Sequence, residues 1–153
     1  GVVSSTDETV IIVIGNYDTR FGKYLKEKFK TKKSIRFIGV VYNLNHLNNL
    51  RYYSNLYFHG HSVGGTNPYL LEAMASKALI IAHENEFNSA ILKDNAYYFS
   101  NSDEVHNLIL KIKKKDNLQL IQNNFDAIKA DYNWDKINGA YIQLFQKSIA
   151  ENN

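Results

Sequence analysis

Cysteine is absent from the 153 residues, so neither a disulfide nor a thiolate-bound metal is available to this chain. That suits a reducing cytoplasm. Long apolar runs are absent too. Nothing approaches the roughly 18–20 apolar residues of a membrane-spanning helix, and the first residues carry no signal-peptide pattern. An excess of one charge sign is also missing: 18 basic and 15 acidic residues leave +3. Such a balance helps draw in an anionic ligand or surface and gives no reason to expect nucleic acid as a partner. What is present is ordinary for a soluble globular chain, with 44% hydrophobic and 22% charged residues. The length suffices for one domain with a sizeable core.

Gly1 to Glu8 is small and polar and reads as a linker or appended residues. From Thr9 onward, apolar runs alternate with helical periodicity. Val10–Ile14, Ile35–Gly39, Leu56–Phe58, Leu79–Ala82 and Ala96–Phe99 read as strands. Between them, Phe21, Leu25 and Phe29 mark a first helix, Leu44, Leu47 and Leu50 a second, Pro68–Ser76 a third and Phe87–Leu92 a short fourth. After Phe99 the strands stop. Ser102 is placed to cap a helix to about Lys114, another is predicted from Asn117 to Ala130, and Trp134 to Ile149 closes the chain. Strands this apolar on both faces belong in a parallel sheet with helices on each side. The expected fold is therefore α/β: a Rossmann-like parallel sheet covered by helices on both faces, with a helical C-terminal tail, over residues 9–153. The residues after the first strand exclude two functions of such folds. A receiver-type signalling module needs clustered aspartates there, and only Asp18 is found; its third strand should end in aspartate, and here it ends at His59. A dinucleotide-dependent oxidoreductase needs Gly-x-Gly-x-x-Gly, which Gly15-Asn16-Tyr17-Asp18 does not supply.

The segment richest in chemistry is His59-Gly60-His61-Ser62-Val63-Gly64-Gly65-Thr66-Asn67-Pro68, between the third strand and its helix. Asn67 is a favoured N-cap, and Pro68, the only proline, sits at the first helical position where its missing N–H is harmless. Gly64 and Gly65 let the backbone approach a ligand with no Cβ in the way. Free amides and the positive end of the helix dipole then favour a bound phosphate or diphosphate. The amides of Gly65, Thr66 and Asn67 and the Thr66 hydroxyl are the candidate diphosphate ligands, and Glu72, one turn along, can hold sugar hydroxyls. In sheets of this kind ligands bind beyond the carboxyl ends of the strands. Gly15 and Asn16 after the first strand, and Asn85 and Asn88 after the fourth, are thus candidate walls, with His59 and His61 as donors to a phosphate or sugar oxygen. His59 and His61 on their own do not make a metal site, because no Cys, Asp or Glu lies near in sequence to complete a ligand set.

Gly65-Thr66-Asn67-Pro68 followed by Leu71-Glu72-Ala73-Met74-Ala75 resembles the donor-binding segment of GT-B glycosyltransferases of family 4 (group 1). The His59–Pro68 form is similar to that of bacterial rhamnosyltransferase-like members that build capsule or O-antigen. Thr9–Gly15, Ile35–Gly39 and Leu79–Ala82 resemble family strands, and Asp131-Tyr132-Asn133-Trp134 resembles the aromatic signature before the last helix. The family pattern has two glutamates separated by seven residues. Glu72 matches the second, which binds the nucleotide ribose, while Gly64 stands at the first. No counterpart of the family's diphosphate-gripping Arg and Lys precedes Thr9, so the resemblance implies an N-terminally truncated piece of a two-domain enzyme, without the acceptor-binding domain. It further implies a cytoplasmic glycosyltransferase using a nucleoside diphosphate sugar as substrate, with no cofactor and no metal, and a polysaccharide or lipid-linked acceptor. A GT-B-fold epimerase or a noncatalytic nucleotide-sugar-binding module are the alternatives. Two lysine clusters, Lys23–Lys33 and Lys111–Lys115, read first as solvated helix faces and second as a surface for peripheral contact with the inner membrane leaflet.

Overall fold

The computed structural model describes residues 9–63, 65 and 67–151. The chain divides into two units, one ending at Leu50 and the other beginning at Arg51. In the first, β1 (Ile11–Ile14) leads through α1 (Arg20–Lys28) to β2 (Ile35–Gly39). Thr19 starts α1 as its N-cap, its side chain accepting from the Gly22 amide at 3.0 Å. The two strands are parallel, with Ile11 opposite Ile35 and Val13 opposite Phe37, and the register slips where Ile14 meets Gly39. Gly39 sits at φ +78°, a region open to glycine without a Cβ penalty, and its carbonyl accepts from the Gly15 amide at 2.9 Å. Gly22 is required for packing: a Cβ there would stand 2.5 Å from the Tyr17 Cα.

α2 (Leu44–Tyr53) runs through the boundary into the second unit. There follow β3 (Tyr57–His59), α3 (Pro68–Ala75), β4 (Ile80–His83), α4 (Glu86–Leu92) and β5 (Tyr97–Phe99). After β5 come α5 (Ser102–Lys111), a 3-10 turn at Lys114–Asp116, α6 (Leu118–Asp131) and α7 (Trp134–Glu151). β4 is central, parallel to both β3 and β5. Its Ile80 and Ala82 join Leu70, Ala73 and Met74 of α3 and Leu92 of α4 in the core. Ile81 points to the opposite face and is also fully buried. A strand buried on both faces is a continuous apolar run, as predicted. Each large side chain so buried contributes about 1.5–3 kcal/mol. α6 is drawn to α3, with the Lys77 Nζ 4.4 Å from the centre of the Phe125 ring. The architecture is thus the expected α/β one, with parallel strands flanked by helices and a helical tail; the strands lie in two sheets, β1–β2 and β3–β4–β5.

Several boundaries differ from the sequence-based ones. β1, β3, β4 and β5 begin at Ile11, Tyr57, Ile80 and Tyr97, each one residue later than predicted. Asn101, not Ser102, caps α5, its Oδ1 accepting from the Asp103 and Glu104 amides at 3.0 Å each. That helix stops at Lys111 rather than Lys114, because Asn55 captures the chain beyond it. The Asn55 Nδ2 donates to the Ile112 carbonyl at 3.1 Å, and its Oδ1 accepts from the Lys114 amide at 2.8 Å.

Candidate functional site

β3 delivers the chain at His59 into the loop Gly60–Asn67, which returns as α3. Gly64 and Thr66 lie outside the described residues, and with them the Thr66 hydroxyl. Gly65 is exposed, with open space where a Cβ would stand. Asn67 caps α3 as its sequence implies: its Oδ1 accepts from the Tyr69 amide at 2.9 Å, and Pro68 occupies the first turn. The other end of α3 is closed with equal definition. Lys77 adopts a left-handed φ of 53°, its amide bonds to the Met74 carbonyl at 3.1 Å, and the Ala78 amide bonds to the Ala73 carbonyl at 3.1 Å. This is the Schellman pattern. A short helix with both ends fixed holds its N-terminal amides in one orientation, which an anion site requires.

The loop is pinned from β4 and α4. Asn85 caps α4, accepting from the Asn88 amide at 2.9 Å. Its Nδ2 donates to the His61 carbonyl at 3.0 Å, and the Nδ2 of buried Asn88 donates to the same carbonyl at 3.2 Å and to the His83 carbonyl at 2.8 Å. Asn88 therefore acts on the loop by anchoring it. His59 is 2% exposed and stacks on exposed His61, ring centres 4.9 Å apart. Burial, and then the neighbouring His61, push the His59 pKa down to about 4, so His59 is neutral at pH 7. Among the described residues its buried Nε2 has no hydrogen-bond partner, and neither has the buried Nδ1 of His83, at the end of β4.

Glu72 lies on α3 one turn past the loop, its side chain 40% exposed. Its Oε2 accepts from the Nη2 of Arg51 at 2.7 Å, and Arg51 is only 4% exposed. The guanidinium also lies 6.0 Å from the Tyr57 ring centre. Desolvation outweighs the cation and holds the Tyr57 phenol above its ordinary pKa, so it stays protonated. The guanidinium fixes one carboxylate oxygen and leaves the other to accept from a ligand. Sequence reasoning did not single out Arg51. Its signal was positional: Arg51 lies one turn after half-buried Leu47, so a basic residue occupies the more buried side of α2.

Gly15 and Asn16 belong to the first unit. There Gly15 bonds to Gly39, and the Asn16 Oδ1 accepts from the Asp18 amide at 2.8 Å, a local Asx-type turn. The structure thus stacks His61 on His59, ties Asn88 to the His61 carbonyl, and places Asn67 and Glu72 on the helix that follows the same loop. Among the described residues no three His, Asp or Glu side chains are grouped to hold a metal ion. No described helix is long and apolar enough to cross a membrane.

No family model matches the chain. No curated protein matches it either. Solved structures do. The C-terminal domain of the glycosyl transferase group 1 family protein LpcC from Francisella tularensis superposes with a TM-score of 0.66 at 25% identity, over 86% of this chain and 74% of that one. HepE of Anabaena, solved in complex with UDP and glucose, superposes with a TM-score of 0.69 at 16% identity, over 90% of this chain. The chain spans 40% of the length of HepE. The fold is that of a Rossmann-like C-terminal GT-B domain, and the structural neighbours include a group 1 glycosyl transferase domain.

Proposed function

We propose that this chain is the donor-binding part of a glycosyltransferase that takes a nucleoside diphosphate sugar. The observation that carries the reading is the run from β3 to α3: a pinned loop at a parallel strand's carboxyl end, a capped helix N-terminus, and a carboxylate fixed one turn later by buried Arg51. Its occurrence in a fold shared with the LpcC domain supports the same reading. The diphosphate lies against the amides of Gly65, Thr66 and Asn67 and the Thr66 hydroxyl. The free oxygen of Glu72 accepts from the ribose. As the sugar departs, charge grows on the diphosphate oxygens, and the positive end of α3 stabilises it without a metal or cofactor. In this reading His61, exposed beside His59, donates to a phosphate or sugar oxygen, and Asn88 keeps its loop in position. The attacking hydroxyl and any base for it belong to an acceptor-binding domain outside this fold unit. The finer assignment, hexosyl transfer of the rhamnosyl type in bacterial capsule or O-antigen synthesis in the cytoplasm, rests on the likeness of the His59–Pro68 segment.

Calorimetry of the chain against a panel of nucleoside diphosphates tests this reading. Ribonucleoside diphosphates should bind weakly but more tightly than their 2′,3′-dideoxy counterparts, and Glu72→Gln should erase that difference. Equal affinity of wild type for both sugars would remove Glu72 from the site. Efficient sugar transfer by this chain alone would contradict the division of labour.

A further inference from the structure

Charge is distributed unevenly along the chain. Between residues 20 and 33 lie seven of the 18 basic residues and one of the 15 acidic ones, so this stretch carries +6 while the remainder carries −3. The lone acid, Glu27, is taken up in an ion pair with Lys30. α1 half-buries Gly22 and Leu25 and turns aromatic rings to the outside: Phe21 is 67% exposed and Tyr24 54%. The two rings stack with centres 6.2 Å apart, and the Lys28 Nζ lies 5.6 Å from the Tyr24 centre. Phe21, Tyr24 and Lys28 share one helix face. Paired aromatics on an exposed face of a strongly basic helix, with Lys28 against one of them, mark an interaction surface. The other lysine cluster is unlike it, because Lys114 turns inward to the Tyr52 carbonyl and lies 4.9 Å over the Tyr52 ring.

We propose that α1 and its lysine-rich exit dock the first unit on an anionic lipid surface. The flexible lysines Lys23, Lys28, Lys32 and Lys33 meet headgroup phosphates while Phe21 and Tyr24 enter the interfacial layer. A membrane fits better than nucleic acid for two reasons. Six of the seven cations are lysines, point charges suited to a diffuse anionic plane, where reading phosphodiesters favours the arginine fork. The rings also stack on each other and so do not offer two open faces to bases. The proposal stands on the first unit alone and is independent of the donor site.

Co-sedimentation of the full chain with vesicles tests it. The chain should pellet with phosphatidylcholine vesicles containing phosphatidylglycerol and not with phosphatidylcholine alone. Binding should vanish in about 1 M salt, where the screening length is about 3 Å. Lys23→Gln with Lys28→Gln should lower partitioning about tenfold or more, and Phe21→Ser with Tyr24→Ser should lower it at unchanged net charge. Lys111→Gln with Lys115→Gln should have a smaller effect than the paired change in α1. Circular dichroism verifies that each variant is folded. Placing Phe21→Trp in a Trp134→Phe background should give an emission blue shift on anionic vesicles. No pelleting, pelleting insensitive to the α1 changes, unshifted emission, or tighter binding to a single-stranded oligonucleotide than to vesicles would each overturn the proposal.

Discussion

Removing Glu72 should affect stability as well as ligand binding, and the amount follows from its pairing with Arg51. The guanidinium is 4% exposed and the carboxylate 40%, so Glu72→Ala leaves a buried cation without this counter-charge. Breaking a fully buried pair costs about 3–5 kcal/mol, and a hydrogen bond to a charged group is worth about 1.5–3. The half-exposed carboxylate puts this pair at the lower end, so the expected loss is about 2 kcal/mol. For a chain of this size that lowers Tm by about 4–8 °C. Arg51→Ala should cost more, since it also removes a buried stem and the contact with Tyr57. The double variant should be more stable than the sum of the two losses by about 1–2 kcal/mol. Urea titration of the four proteins closes the cycle. A coupling below about 0.5 kcal/mol, within the scatter of independent sites, would refute the claim that Arg51 holds Glu72. Glu72→Gln, which keeps shape and one acceptor, is for this reason the variant to use in ligand binding.

Three further outcomes are expected. His59 has a folded pKa near 4 against about 6.5 unfolded, so the unfolded chain binds the extra proton between these values and stability falls as pH drops from about 6.5 to 4. The full effect is about 3 kcal/mol; denaturant midpoints across that range should shift in wild type, and a flat profile, or one unchanged in His59→Gln, would contradict the burial. Gly22→Ala should destabilise despite better helix propensity, because overpacking against the Tyr17 backbone costs about 1–3 kcal/mol and the propensity gain is about 1; a raised Tm would contradict that packing. Asn67→Ala should cost about 1 kcal/mol through loss of the cap on α3, and an unchanged midpoint would mean that the Asn67–Tyr69 bond is dispensable.

Much of this was legible in the sequence because local rules and tertiary packing agree. The apolar run at Ile80–Ala82 is a strand buried on both faces, and Asn67-Pro68 starts a helix where their chemistry places it. Boundaries failed where two equivalent residues competed, as with Asn101 and Ser102, or where a distant partner intervened, as Asn55 does at Ile112 and Lys114. In the site, residue types on the loop could be read, but not the pairs that hold them. Arg51 lies 21 residues before Glu72, and no local pattern joins them. The spacing places Asn88 after β4, and the structure commits its amide to the His61 and His83 carbonyls, partners that the spacing does not reveal. Side-chain direction within a loop depends on what the neighbouring element offers, which one-dimensional spacing does not contain.

The central claim, that the β3–α3 turn binds the diphosphate of a nucleotide sugar, is tested most directly by amide NMR of the chain during titration with nucleoside diphosphates. Saturable shifts at Gly65, Asn67, Tyr69 and Glu72 for one base, weakened by Glu72→Gln and absent with the free nucleoside, are the expected result. Saturable shifts confined to other parts of the chain, or none with any diphosphate up to the solubility limit, would contradict it.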